Sequence, residues 1–280
     1  MLCHGDSTVE SGDANAPAPQ PSAVAFREYL ADAGLSHAPL AAEIALAITF
    51  NGLSQAVMMV SPGNLEDFIR GFSLSNAIID SVDEIYDIRL SHGDQACQAD
   101  VQISNRAFWA LKDHRRQMTG ISGCGICGVE ALQQALPQLP ILPPSALPPA
   151  QHFDGIRQRI EQAQQLARSS GALHAALYFD GAGNALLCRE DIGRHNALDK
   201  LIGALQCDAI DSREGFVVVT SRCSLELIHK AVRARLGTLV SLSAPTALTV
   251  RWARQHHLNL IHVPHRHAPR IYSPIQELQP

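Results

Sequence analysis

Residues 175–263 alternate short apolar runs with stretches of helical periodicity, and this alternation constrains the fold more than any other feature of the chain. A run such as Phe216-Val217-Val218-Val219-Thr220 has no polar face, so it suits a strand covered on both sides. Residues 175–179 and 186–189 read as a hairpin around Asp180-Gly181. After it come helix over 194–205, strand over 216–220, helix over 224–236, strand over 238–242, helix over 245–256 with proline in its first turn, and strand over 259–263. A βαβαβ order of this kind predicts a mostly parallel sheet clad in helices, with ligands bound in the crevice beyond the carboxyl ends of the strands. Those ends are Thr220-Ser221-Arg222-Cys223, Ser243-Ala244-Pro245-Thr246 and Val263-Pro264-His265-Arg266.

The upstream half has a different rhythm. Strands are expected over 43–50 and 56–60 around an Asn51-Gly52 turn, a strong hairpin signal. Pro62-Gly63-Asn64 introduces a helix over 65–79, with Glu66 and Asp67 in its dipole-favoured first turn. Further strands fall at 86–90 and 98–103, with helices at 105–117 and 129–136. Six prolines within residues 136–149 forbid continuous helix or central strand there. The expected organisation is therefore a disordered tail at 1–22, an α+β region at 23–136, a proline-rich linker at 137–150 and a larger α/β domain at 151–280. Residues 152–169 read as one polar amphipathic helix opening that domain.

The net charge of −5 divides unevenly. Residues 1–150 carry −9, whereas residues 151–280 carry +4, and residues 222–270 hold eight Lys or Arg, six His and a single acid, Glu226. Such a stretch creates a potential that attracts an anion, either nucleic acid or a phosphate-bearing small molecule. Seven scattered cysteines do not form a secreted disulfide framework, so a reducing cytoplasm is expected. No run is apolar and long enough to span a membrane.

Gly123-Cys124-Gly125-Ile126-Cys127-Gly128 places two thiols three positions apart among glycines, which reads as an exposed loop built to react. Three chemistries are open to it. A zinc site wants four ligands, and neither a second cysteine pair nor a finger-like histidine pair is present. Dithiol exchange could use the helix that follows Cys127, but the usual strand-helix context upstream is missing. Persulfide transport needs an exposed nucleophile on a loop able to visit two partners, which the glycines supply. A second constellation runs from Arg189 through Glu190, Asp191, Arg194, His195, Asn196 and Asp199 to Lys200. It is too polar for a simple amphipathic helix, so Asp191, Arg194, His195 and Asp199 are expected near a helix start able to hold a phosphate or polar ring. A solvated, salt-bridged helix start is the alternative, and His174 suits a core position as well as a site.

Together these segments resemble the FdhD family, accessory sulfurtransferases of formate dehydrogenases. The resemblance rests on Asn51-Gly52, Gly71-Phe72, the cysteine loop, the Arg189-to-Lys200 motif, Ser221-Arg222 with Glu226 and Lys230, Ser243-Ala244-Pro245 and Tyr272-Ser273. It implies a cytoplasmic sulfurtransferase that takes sulfur from a cysteine desulfurase as a persulfide on Cys124, with Cys127 as its companion. The sulfur would pass to bis-molybdopterin guanine dinucleotide, the molybdenum cofactor, bound as substrate for formate dehydrogenase, with no structural metal. It also implies a cytidine-deaminase-like three-layer α/β/α domain beside a smaller α+β domain, although the zinc signatures H-x-E and P-C-x-x-C of deaminase chemistry are absent. Cofactor contacts are expected from Val263, Pro264, His265, Arg266, His267, Ala268, Arg194, His195 and Arg222. The chain departs from the family where His262 to His267 replace a Gly-Phe-x-Arg segment, where Asn76-Ala77 replaces Glu-Gly, and where Thr220-Ser221-Arg222 replaces Ser-Gly-Arg. A guanine nucleotide rather than nucleic acid is the implied ligand; a homodimer is left open, and a cofactor-binding chaperone with the cysteines as a clamp or redox gate is the alternative reading.

Overall fold

In the computed structural model, which describes residues 22–28, 35–93, 95–119 and 136–274, a short ribbon comes first. β1 (Ser22–Phe26) pairs antiparallel with β2 (Ser36–Leu40). Apart from Ser22 and Leu136, the expected tail, the cysteine loop and the helix expected over 129–136 lie outside these residues.

β3 (Ile44–Phe50) and β4 (Leu53–Val60) form the expected hairpin. Asn51 and Gly52 both take positive φ, 47° and 80°, which suits a two-residue turn matched to strand twist. Asn51 also uses its side-chain amide, donating to Ile103 O at 3.0 Å and accepting from Ile103 N at 2.7 Å. These bonds tie the turn to β6 (Ala96–Ile103), which runs parallel to β3 and antiparallel to β5 (Ile85–His92). The resulting sheet has the order β4-β3-β6-β5. Helix α1 (Leu65–Ser75) ends four residues earlier than expected. There Asn76 bonds back to Phe72 O through both its backbone and its side chain, and Ala77 turns to φ 55°. Helix α2 (Asn105–Thr119) follows β6.

Past the prolines, the long helix expected over 152–169 is three pieces: a 3₁₀ turn (Ala150–Phe153), α3 (Ile156–Ala163) and α4 (Leu166–Ser170). Gly155 at φ 61° makes the first break. The second is fixed from outside the helix, because the Glu190 carboxylate accepts from the amides of Gln165, Leu166 and Ala167 at 2.8–2.9 Å. Those amides would otherwise be orphaned at a helix start.

Strands β7 (His174–Phe179), β8 (Ala185–Asp191), β9 (Phe216–Val219), β10 (Thr238–Ser241), β11 (Asn259–His262) and β12 (Arg270–Ser273) form a second sheet ordered β12-β11-β10-β9-β7-β8. Its centre, β9-β10-β11, is parallel as the βαβαβ reading requires. The mostly parallel sheet expected from the alternation is otherwise antiparallel, because the β7–β8 hairpin inserts β7 beside β9 and β12 folds straight back along β11. Connecting helices are α5 (Arg194–Cys207), α6 (Leu225–Arg233) and α7 (Ala247–Gln255).

Alternation along β7 shows both faces covered. Ala176 and Tyr178 join the large core with α5 and α6, while Leu177 and Phe179 face Phe153, Ile156 and Ile160. Phe179 stacks on Phe216 with centroids 5.0 Å apart, a pairing worth about 0.5–1.5 kcal/mol beyond its buried area. The large core also contains Leu46, Ile48, Phe68 and Ile69, so the two sheets share one apolar interior. Contact is closest where α1 meets α5. A Cβ at Gly71 would lie 1.8 Å from Asp199 O, and one at Gly203 would lie 1.9 Å from Asp67 O. No described helix is long and apolar enough to cross a membrane.

Candidate functional site

The parallel centre of the second sheet sends the carboxyl ends of β9, β10 and β11 to one edge. β8 ends there too, and the start of β7 lies beside it, since His174 is in register with Asp191. Serines and a threonine fasten this edge. Thr220 Oγ1 accepts from Ala175 N at 2.9 Å, and Ser241 Oγ donates to Ser243 O at 2.8 Å and accepts from Ser243 N at 3.2 Å. Short hydroxyl side chains thus satisfy backbone groups that the strands leave unpaired on running out.

All the candidate residues of the basic half lie along this edge. Arg222 is exposed just after β9. Arg194 and His195 open α5, half-buried, and Gly193 before them supplies no side-chain cap. Val263 is buried and Pro264 half-buried, while His265, Arg266, His267 and Ala268 are exposed in the loop between β11 and β12. Cys124 and Cys127 lie outside the described residues. Three of the described cysteines are poor nucleophiles, for burial pushes the thiols of Cys188 and Cys223 up to about 12 and raises that of Cys97.

His195 Nε2 lies 3.3 Å from Ser224 Oγ and 3.2 Å from Glu226 Oε2. Burial, then Arg194 and Lys230, drive its pKa down to about 4, so near neutral pH the ring is uncharged. The contact with Glu226 is then a hydrogen bond rather than an ion pair. His174 is also held below its ordinary value, by burial first and Arg194 second. The fixed positive charge here therefore comes from arginine, and His195 serves as a neutral ring able to donate or accept.

The Arg189-to-Lys200 motif divides its labour. Asp191 and Asp199, expected beside Arg194 and His195 at a ligand-holding helix start, instead point into the interior. Asp191 is fully buried, paired to Lys200 at 2.8 Å, and accepts from Ser61 N, Gly193 N and Asn196 Nδ2. Asp199 is paired to Lys230 at 2.8 Å and accepts from Ser75 Oγ at 2.6 Å. Lys200 Nζ donates on to Ser61 O, and Arg189 reaches Asp67 at 2.8 Å. Half of the motif therefore bolts the first sheet and α1 to the second sheet. Only Arg194 and His195 remain for the edge.

Two residues at this edge were not singled out as individual contacts by sequence reasoning. His262 is buried at the end of β11 with Nδ1 enclosed and unpartnered, and burial, Arg270 and Arg157 hold its pKa below the ordinary value. Arg157 arrives from α3 and donates through Nη2 to Leu242 O at 3.2 Å and Val263 O at 2.9 Å. Among the described residues no cluster of three or more His, Cys, Asp or Glu is placed to hold a metal.

Comparison with known proteins places the chain in a family. A model of the FdhD/NarQ family matches residues 41–279. The chain is 39% identical over 272 residues to the sulfur carrier protein FdhD of Cupriavidus necator, covering 96% of this chain and 93% of that one. It is 41% identical over 239 residues to the protein of the same name from Xanthomonas euvesicatoria, 85% of each chain. Among solved structures, one from Desulfotalea psychrophila, described as a formate dehydrogenase accessory protein, superposes with a TM-score of 0.70 at 20% identity. It covers 91% of this chain and 98% of that chain.

Proposed function

Since the chain belongs to the FdhD/NarQ family, we propose that it is a cytoplasmic sulfur carrier serving a formate dehydrogenase. In this reading the Cys124 thiolate attacks the terminal sulfur of a persulfide on a cysteine desulfurase. A new S–S bond forms at Cys124 as the old one breaks, and the desulfurase cysteine leaves as thiolate. Cys127 stands by as the companion thiol. The Cys127 thiol then attacks Cys124, a disulfide closes between them, and the outer sulfur leaves at the sulfide level to bis-molybdopterin guanine dinucleotide, held as substrate against the carboxyl-end edge of the second sheet.

One observation carries this reading: Arg194, Arg222 and Arg266 come from three separate parts of the chain to a single sheet edge. The nearby acids do not cancel them, since Asp191 is buried against Lys200 and Glu226 is a single carboxylate facing three guanidinium groups. A nucleotide cofactor with several phosphates gains most from such an edge, because guanidinium forks match phosphate oxygens. Arg194, Arg222 and residues 263–268 would hold phosphates or guanine, with His195 a neutral hydrogen-bonding partner. The helices on both faces of the six-stranded sheet support extending the same reading to a cytidine-deaminase-like layering.

The test is direct. After incubation with a desulfurase and cysteine, the Cys124 peptide should gain one sulfur by mass, and Cys124→Ala should lose activation of formate dehydrogenase. Activation by Cys124→Ala at the wild-type level would defeat the proposal. It would favour the alternative of a cofactor-binding chaperone in which the thiols serve as a clamp or redox gate.

A further inference from the structure

Helix α3 carries two arginines, two residues apart, which reach opposite ends of the second sheet. Arg159 donates to Gly183 O at 2.6 Å in the β7–β8 turn and lies over the Phe179 ring at 5.1 Å, fastening a turn far from the carboxyl-end edge. Arg157 does something different. β10 and β11 stop pairing after Ser241 and His262, so the next carbonyls along, those of Leu242 and Val263, have lost their ladder partners. A single nitrogen, Nη2 of Arg157, takes both.

These carbonyls begin the two segments that shape the basic edge. Leu242 leads into Ser243-Ala244-Pro245 and the start of α7, and Val263 leads into Pro264, His265, Arg266, His267 and Ala268. The Arg157 Nε is enclosed without a partner, an arrangement that costs stability and that an aliphatic residue would avoid. A cation kept there at that cost, bridging two loops rather than capping one strand, fits a role in setting the distance between them. His262 feels it directly, since Arg157 is one of the charges lowering its pKa.

We propose that Arg157 is a positioning residue: it cross-links the segment after β10 to the segment after β11, so that the histidine- and arginine-bearing loop at 264–268 is held ready for an anionic ligand. The part concerning the ligand rests on the function proposed above. The cross-link itself does not.

Three measurements on the full chain test it. In Arg157→Gln, amide hydrogen exchange should rise several-fold over residues 242–246 and 263–270 and stay unchanged in β3 and α6. Guanosine diphosphate, used as the probe, should bind about tenfold more weakly, as expected for loss of charge-assisted bonds to two carbonyls. Sulfur loading of Cys124 should proceed at the wild-type rate, a split that general unfolding would not produce. Arg157→Lys, which keeps a donor able to reach one carbonyl, should recover part of the affinity and covers the case in which the glutamine variant fails to fold. Unchanged exchange in both loops, or affinity equal to wild type in both variants, overturns the positioning role. Absence of binding by the wild-type protein would count against the proposed function instead, and the exchange result would still decide the cross-link.

Discussion

Removing Lys230 should harm the protein more than removing the whole ion pair to which it belongs. Lys230 Nζ lies 2.8 and 3.0 Å from the two oxygens of Asp199 and 3.1 Å from Ser75 Oγ, which donates to the same carboxylate. The three groups come from α6, α5 and the last residue of α1, and the Lys230 and Asp199 side chains are 5% and 2% exposed. Burial pushes the Asp199 carboxyl upward and outweighs the pull of Lys230 and Ser75, so the pair carries a desolvation cost that its attraction does not exceed. Lys230→Met strands the acid with one hydroxyl donor and should cost about 3–5 kcal/mol. At about 2–4 °C per kcal/mol for a chain near this size, that is a melting point roughly 6–20 °C lower. Asp199→Leu with Lys230→Met removes both desolvation costs and should return to within about 1 kcal/mol of wild type.

Urea unfolding of the two single variants and the double variant closes the cycle. The single variant adds a signature in pH. With Lys230 gone, the folded Asp199 pKa rises further above the unfolded value near 3.9. The folded state then binds more protons than the unfolded state between the two values, so Lys230→Met should grow less stable as pH rises through that window. If Lys230→Met costs less than about 1 kcal/mol, or the double variant is worse than Lys230→Met alone, this account of the pair is wrong.

The α1–α5 crossing should tolerate no side chain: Gly71→Ala and Gly203→Ala would each set a methyl within 2 Å of a backbone carbonyl, so each should lose about 1–3 kcal/mol or more by urea midpoint. A second pH effect comes from His229, whose ring lies 4.7 Å from that of Trp252 and whose pKa is driven down to about 4 by burial, then by Arg233 and His256. Its folded value lies below the ordinary 6.5, so the unfolded chain takes up more protons between about 6.5 and about 4, and stability should fall as pH drops through that window. His229→Phe, which keeps a ring against Trp252, should flatten this dependence; equal slopes for wild type and variant between pH 7.5 and 5 would refute it.

What could be read in the chain divides along physical lines. Phe216-Val217-Val218-Val219 announced a buried strand because burial on both faces leaves no polar position, and Asn51-Gly52 announced its turn because both residues accept positive φ. β1, β2 and β12 gave no comparable signal. They are short and largely exposed, so neither alternation nor a continuous apolar run marks them. The break between α3 and α4 was hidden for another reason: the carboxylate that ends one helix and starts the next belongs to Glu190, more than twenty residues downstream.

The density of charge from Arg189 to Lys200 was legible as a departure from simple amphipathicity, but its meaning was only half legible. Asp191 and Asp199 look like ligand-facing residues until Ser61, Ser75 and Lys230 are brought to them from 130, 124 and 31 positions away. Charge that is buried and paired looks the same in a sequence as charge that awaits a phosphate. Arg157 is the opposite case. On a polar helix, beside Arg159 and among glutamines, nothing local distinguishes it. Its significance follows from the strand order, because only a sheet with β10 beside β11 ends in two adjacent unpaired carbonyls that one guanidinium nitrogen can take together. In a fold of this kind, motif density therefore finds the edge, whereas the residues that set its shape emerge only from following each strand's last carbonyl to its donor.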